Sequence, residues 1–184
     1  MAFNPPPTTV YASLAGGIDQ AMVQRVFQGF AVAINGGVQT VHLLLQSTGG
    51  TVSDGVAIYN YFRNLPIELH AYNMGGVSSI AVMAFLGARH RYASANATFM
   101  IHKTYFNVSA PTNAARASGM ANSLKIDDAR TRAILRNHLT LSNRRLERHL
   151  VDELPFTATD ALACGLVTGI RDFQLPPGER IYNI

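Results

Sequence analysis

The chain has 184 residues, of which 48% are hydrophobic and only 14% are charged. This composition predicts a compact globular protein and excludes a disordered chain. The formal net charge of +4 allows an anionic partner, but the arginines concentrate in 136–150 without interleaved aromatic residues. That pattern favours a solvated or subunit-facing helical surface over nucleic-acid binding.

The sequence pattern and the single cysteine favour a cytoplasmic protein without a membrane partner. No apolar run approaches the roughly 20 residues that a membrane span needs, and the first residues lack the basic and apolar regions of a signal peptide. The single cysteine, Cys164, excludes an internal disulfide. It lies among alanine and leucine at helical spacing, which predicts a buried free thiol.

In the first half of the chain, predicted strands alternate with predicted helices. Residues 1–9 are expected to form a proline-rich extended lead-in, and residues 10–184 a single domain. Strands are predicted at 9–16, 38–46, 67–73 and 97–102, and helices at 19–35, after the glycines at 49–50, and within 73–88. This alternation is typical of βαβ units and predicts an α/β fold with a mostly parallel sheet.

From residue 112 onward the pattern becomes helical. Residues 112–139 contain no proline and repeat apolar residues at helical intervals, which predicts one long helix. Two shorter helices are predicted at 142–154 and 157–165, the second opening with Thr157 and Asp160 at capping-box spacing. The segment 166–170 is predicted as a final short strand.

Three junctions between these predicted elements carry groups that suit acyl transfer. The turn QSTGG offers the backbone of Gly49 and Gly50, Ser79 precedes a helix, and His102 ends a strand. Such groups gather at the carboxyl ends of parallel strands, where they can act as oxyanion donors, nucleophile and general base. Each feature also has a structural explanation, since a serine can cap a helix and a diglycine can simply turn the chain. Five other histidines compete for the role of the base: His42, His70, His90, His138 and His149.

Four motifs in this order resemble the proteolytic subunit of the Clp protease family. They are STGGTVSDGVAIYN, MGGVSSIAVMAFLGA, FMIHK and FTATDALACGLVTGI. The resemblance implies a Clp-protease/crotonase-like fold of repeated ββα units with a mostly parallel sheet. It also implies a protruding long handle helix, within a handle region of about 103–139, and C-terminal helices.

The resemblance also implies roles for individual residues. Ser79 would be the nucleophile and His102 the base, and an ungapped comparison places the acid at Glu153, with Asp152 beside it as the alternative. The backbone N–H groups of Gly50 and Ile80 would form the oxyanion hole, and Gly49 and Gly50 would bind the substrate. Ser78 is then expected to cap the helix or to support the site. The sequence departs from the family at Thr48, Ala81 and Lys103, which replace proline, glycine and glutamine.

The function that the resemblance implies is a serine endopeptidase that cleaves unfolded polypeptides or peptides inside a ring oligomer, a heptamer or a double heptamer. No cofactor or metal is expected, and ATP would be used only by a partner. The family has a longer N-terminal segment that contributes to ATPase docking, so a Clp-type ATPase stays open as a partner without being predicted. Two alternatives stay open as well: a catalytically silent ring subunit and a crotonase-like acyl-CoA enzyme.

Overall fold

The computed structural model describes residues 8–106 and 111–184. The strands in this part of the chain are β1 (Thr9–Ala15), β2 (Thr40–Gln46), β3 (Glu68–Asn73), β4 (Gly76–Ser78), β5 (His90–Ala93), β6 (Thr98–Ile101), β7 (Leu154–Thr157), β8 (Gly169–Ile170) and β9 (Ile181–Asn183). The α-helices are α1 (Gln20–Asn35), α2 (Val52–Arg63), α3 (Ile80–Leu86), α4 (Ala114–His138), α5 (Asn143–Glu147) and α6 (Ala158–Ala163). A 3₁₀ helix, Arg148–Leu150, follows α5 directly.

The strands form two sheets. The large sheet has six strands in the order β8-β5-β3-β2-β1-β9, and all of its neighbours run parallel. The small sheet has the order β4-β6-β7, with β4 parallel and β7 antiparallel to β6. The prediction of an α/β fold with a mostly parallel sheet is confirmed.

Helix α1 buries the face that its apolar spacing predicts. Met22, Val26 and Phe30 lie four residues apart on α1 and are all buried, and the Asp19 side chain caps this helix by accepting a hydrogen bond from the Met22 N–H at 2.8 Å. Helix α3 differs because every one of its residues is buried. It therefore forms the centre of the hydrophobic core, with α2 packed beside it.

The long helix predicted at 112–139 is α4, whose 25 residues span about 37 Å. Its buried residues are Thr131, Ile134 and Leu135, which all lie in its last third. The side chains before Thr131 are exposed or half-buried. Helix α4 is thus packed against the core only near its C-terminal end. Residues 107–110 of the predicted handle region lie outside the described residues, as do residues 1–7 of the predicted lead-in.

The prediction of one helix over 142–154 is wrong at residues 151–154. Helix α5 and the 3₁₀ helix end at Leu150, and β7 begins at Leu154. The helix does not continue because residues 154–157 pair with β6 as strand β7. In this strand the buried Leu154 and Phe156 alternate with exposed neighbours. The short strands β4, β5 and β9 were also not predicted.

The predicted free thiol and the arginine-rich segment have structural explanations. Cys164 is a buried free thiol, as predicted, and burial raises its pKa. Arg132 and Arg136 both pair with Glu147, which ties α5 to α4.

No helix among the described residues is both long and apolar enough to cross a lipid bilayer.

We predict that His138 makes the folded chain less stable in mild acid. The Tyr59 hydroxyl contacts His138 Nε2 at 2.9 Å, and burial, with the nearby Arg91 and Arg63, lowers the His138 pKa from 6.5 to about 4. Between these two values the unfolded chain binds a proton that the folded chain does not, so stability falls as the pH falls from 6.5 towards 4.

The measurement is the midpoint of thermal unfolding as a function of pH for the wild type and for His138→Gln, whose amide oxygen can still accept the Tyr59 hydrogen bond. The variant should lose less stability over this window, with a residual slope because burial also lowers the pKa of His70 to about 4. The two chains compared at pH 8 serve as the control. Parallel curves from pH 8 to pH 4 would contradict the assignment.

Candidate active site

The three junctions that the sequence analysis singled out lie side by side in the structure. Strands β4 and β6 are parallel neighbours, so Ser79 and His102 both follow carboxyl ends of adjacent strands. Ser47, directly after β2, accepts a hydrogen bond from the Ser78 N–H at 2.9 Å and donates its own N–H to the Gly76 carbonyl at 3.2 Å. These two bonds bring the turn after β2 to the same place.

Ser79 has an unusual backbone conformation. Its φ of +58° and ψ of −132° make it the only non-glycine residue with a positive φ in the described part of the chain. Such a conformation costs roughly 1–3 kcal/mol and persists only where the surroundings hold it. Here the Ser79 N–H donates to the Met100 carbonyl of β6 at 2.7 Å.

Neither serine caps helix α3 with its side chain. Ser79 occupies the N-cap position, but its side chain makes no capping hydrogen bond. The expectation that Ser78 caps the helix is wrong, because Ser78 is the last residue of β4. The Ser79 hydroxyl is therefore not engaged in stabilising the end of the helix.

The two glycines of the turn are required for different steric reasons. A Cβ atom at Gly49 would lie 2.6 Å from the Ser79 Cβ and 3.0 Å from its Oγ, so Gly49 lies against the serine side chain. A Cβ atom at Gly50 would lie 2.0 Å from the Ile18 carbonyl oxygen. Ile18 holds the turn from both sides, since its N–H donates to the Gly49 carbonyl and its carbonyl accepts from the Thr51 N–H, each at 2.8 Å.

The backbone N–H groups near Ser79 differ in whether they are already bonded. The Gly49 N–H donates to Ser47 Oγ at 3.1 Å, so both backbone groups of Gly49 have partners within the chain. The N–H groups of Gly50 and Ile80 have no hydrogen-bond partner in residues 8–106 and 111–184. The two predicted oxyanion donors are thus the ones that are unpaired.

A cavity of about 310 Å³ brings the predicted groups together, because Ser79, His102, Gly50 and Ile80 all line it. Among the described hydrogen bonds, none joins Ser79 to His102. Instead, His102 Nδ1 lies 2.6 Å from the Lys103 carbonyl oxygen. A carbonyl oxygen only accepts, so Nδ1 carries the proton, and in the neutral ring Nε2 has a free lone pair.

The loop that carries His102 is anchored to helix α4. The N–H and hydroxyl of Thr104 donate to Asp128 Oδ1 at 3.1 and 2.6 Å. The ring of Tyr105 also contacts the His102 ring, with a centroid distance of 5.4 Å. Asp128 therefore helps to position His102, and the sequence analysis missed it because an acid on an exposed helix has no local signal.

The two candidate acids are exposed, and neither forms a described hydrogen bond or ion pair with the His102 ring. Asp152 Oδ1 accepts a hydrogen bond from the Glu153 N–H at 2.8 Å. The register of β6 and β7 pairs Ile101 with Leu154, so one step further along this antiparallel pair Glu153 lies across from His102. The Glu153 carboxylate has neither a hydrogen bond nor an ion pair among the described residues.

His149, one of the five histidines that compete with His102 for the role of the base, also lies at this cavity. It lines the cavity and is only 2% exposed. Its Nδ1 bonds to the Leu146 carbonyl, while its buried Nε2 has no hydrogen-bond partner in the structure.

Comparisons with known proteins agree with this architecture. Residues 9–173 match the family model described as Clp protease. The ATP-dependent Clp protease proteolytic subunit 2 of Pseudomonas aeruginosa is 22% identical over 102 residues, covering 54% of this chain and 51% of that protein. Proteolytic subunit 1 of Streptomyces avermitilis is 27% identical over 129 residues, covering 69% and 58%. The corresponding protein of Bdellovibrio bacteriovorus is 26% identical over 87 residues, covering 46% and 41%. The chain thus spans about half the length of the curated relatives it matches.

We predict that Gly49→Ala destabilises the chain much more than Gly37→Ala does. Both glycines have positive φ values, +102° and +80°, but a Cβ atom at Gly37 would meet nothing within 4 Å. The control should therefore lose only the conformational term, roughly 1 kcal/mol. Gly49→Ala adds the clash with Ser79 and should lose roughly 3 kcal/mol of unfolding free energy in denaturant titrations. Equal losses would show that Gly49 does not support Ser79.

Proposed function

The chain belongs to the Clp protease family, and from this membership we propose that it is a serine-type endopeptidase subunit. One observation carries the proposal: a single cavity is lined by Ser79, His102 and two backbone N–H groups without partners, those of Gly50 and Ile80. These are the nucleophile, the base and the oxyanion donors that acyl transfer needs.

The reaction proceeds by acyl transfer through Ser79. His102 Nε2 removes the Oγ proton as Oγ attacks the scissile carbonyl carbon, and the N–H groups of Gly50 and Ile80 bind the oxygen that becomes negative. The intermediate collapses, and the leaving amine takes the proton from His102. Water then hydrolyses the acyl-enzyme with His102 again as the base. Because Ser79 and His102 are not hydrogen-bonded in the free chain, the side chains must approach each other when substrate binds.

We assign the third catalytic position to Glu153, with Asp152 as the alternative. When His102 becomes an imidazolium, a carboxylate at Nδ1 stabilises it better than the neutral Lys103 carbonyl does. The register of β6 and β7 supports Glu153, and so does its unpaired carboxylate. Asp152 is disfavoured because its carboxylate already binds the Glu153 N–H. In this proposal Glu153 replaces Lys103 at Nδ1 in the assembled, substrate-bound enzyme.

The proposed substrates are peptides or unfolded polypeptides. A cavity of about 310 Å³ is at the small end of ligand sites, so it accommodates little more than the residues around the scissile bond. The rest of the substrate lies extended along the diglycine turn, with Gly49 and Gly50 beside its main chain. The relatives are named as proteolytic subunits of an ATP-dependent Clp protease, and in this proposal any ATP dependence of the chain comes through a partner ATPase.

We further propose that the chain works in a ring oligomer in the cytoplasm. The exposed first two-thirds of α4 and the low charged fraction of 14% support a large covered surface. The exposed alanine-rich segment 114–122 suits close helix packing between subunits. The buried free thiol of Cys164 agrees with a reducing compartment.

A catalytically silent ring subunit is the second candidate. It is favoured by one observation, namely that His102 contacts neither Ser79 nor a carboxylate through a described hydrogen bond. The labelling experiment below separates this candidate from the active enzyme.

We predict that a fluorophosphonate probe labels the wild-type chain and that Ser79→Ala abolishes the labelling. His102→Ala should slow it at least 10²-fold or so, because the serine loses its base. Ser78→Ala is the matched control and should label at the wild-type rate, since the adjacent hydroxyl lies in β4. The measurement is made on the assembled fraction, whose mass should be a multiple of 19.9 kDa.

Failure of an intact assembly to label would favour the silent subunit. A wild-type protein that stays a single 19.9 kDa chain would contradict the ring.

We predict that Glu153→Gln lowers the peptide-hydrolysis rate by roughly 10⁴-fold, the typical effect of removing a triad carboxylate. Asp152→Asn, the neighbouring carboxylate-to-amide change, should have an effect of less than about threefold. Both side chains are exposed, so neither change should alter the unfolding midpoint by more than a degree or so. A loss in Asp152→Asn alone would assign the role to Asp152, and no loss in either would leave Lys103 as the partner of Nδ1.

A further inference from the structure

A second cluster of polar side chains lies at the opposite end of the large sheet from the candidate active site. Glu68 is the first residue of β3 and His90 the first of β5, whereas the diglycine turn of the candidate active site follows the carboxyl end of β2, which runs parallel to β3. His70 is two residues after Glu68, so both side chains are on the same face of the sheet. The register pairs His70 directly with His90. Backbone hydrogen bonds between β3 and β5 therefore fix the spacing of all three residues.

The donor atoms of these residues are close together. One ligand atom each from Glu68, His70 and His90 lie within 4.8 Å of one another. The rings of His70 and His90 are stacked, with centroids 4.3 Å apart, and His90 Nε2 lies 2.9 Å from Glu68 Oε2. In a tetrahedral zinc site, donors are about 3.3 Å apart. The Glu68 and His90 side chains are partly exposed, so both have room to rotate towards that spacing.

The His70 ring has an unexplained polar atom. Its Nδ1 is buried and has no hydrogen-bond partner in the structure. Buried polar atoms without a partner are rare and call for a specific reason.

We propose that Glu68, His70 and His90 form a binding site for a divalent transition metal, with Zn²⁺ as the best fit. Two imidazoles and one carboxylate are a donor set that zinc accepts, with a fourth position left for water. Hard cations such as Mg²⁺ and Ca²⁺ prefer all-oxygen ligands and are excluded by the two rings.

The surroundings of the cluster limit its affinity. Arg89 pairs with Glu68 Oε1 at 3.3 Å, which leaves Oε2 facing His90. Arg171 is a second nearby cation, stacked over the Tyr92 ring. These charges oppose a bound cation, so we expect micromolar binding rather than the tighter binding of buried structural zinc. The ion replaces the hydrogen bond between His90 and Glu68, with the His90 proton on Nδ1. The bound ion would link the first residues of β3 to the first residue of β5.

The test is a calorimetric titration of the full chain with ZnCl₂, in a His102→Ala background so that the cavity imidazole cannot compete. We expect one Zn²⁺ per chain and at least roughly tenfold weaker binding in each of His90→Ala and Glu68→Gln. His42→Gln is the matched control. His42 lies on the same face, in register with His70 on β2, but its Nδ1 already contacts the Tyr72 hydroxyl, so its loss should leave the affinity unchanged.

Cobalt absorption and thermal unfolding test the same site without relying on zinc calorimetry. Co²⁺ should give the visible absorption of a tetrahedral ion in the control and lose it in both ligand variants. Unfolding midpoints measured in chelator show whether the variants fold, and Zn²⁺ should raise the midpoint only in chains that keep all three ligands. Absence of binding, or equal binding in the ligand variants, would overturn the proposal and leave Glu68 and His90 as a surface ion pair.

Discussion

The hydrogen bond from the Ser79 amide to the Met100 carbonyl is the interaction on which the candidate active site depends. It joins the turn after β4 to β6 and holds Ser79 at a positive φ. In that conformation the serine side chain lies against Gly49, where no Cβ atom would fit. The serine and the diglycine turn are therefore one steric unit, and the adjacent amide of Ile80 is left without a partner.

The candidate active site lies at carboxyl ends of strands, and the cluster of Glu68, His70 and His90 lies at amino ends. The two sites differ in what holds their residues in place. At the carboxyl ends, loops supply unpaired backbone groups, and His102 is positioned through Thr104 and Asp128 on another helix. In the proposed mechanism the Ser79 and His102 side chains approach each other when substrate binds. At the amino ends, the strands themselves carry His70 and His90, so their spacing follows from the sheet register. The proposed metal site is accordingly set by the backbone, whereas the proposed catalytic site depends on side-chain movement.

The elements that sequence analysis found are those with long, regular apolar patterns. Helix α1 is an example, because Met22, Val26 and Phe30 mark its buried face locally. The missed strands are short, and most of them are stabilised by partners far away in the chain. Strand β7 pairs with β6 more than 50 residues earlier, and β9 pairs with β1 at the other end of the chain. Alternation over only four residues, as in Leu154–Thr157, is too brief to be separated from the end of a helix.

The sequence by itself determined which residues stand at the junctions between predicted elements: the glycines at 49–50, Ser79 and His102 are each marked by a motif that spans a few positions. Only the tertiary structure decided which of their polar groups are free. Gly49 is bonded to Ser47 and Ile18, whereas the Gly50 N–H has no partner among the described residues. His102 Nδ1 faces the Lys103 carbonyl. The cluster of Glu68, His70 and His90 also depends on a register between separate strands. The physical reason is that a motif records local spacing, whereas hydrogen-bond partners are set by segments that only folding brings together.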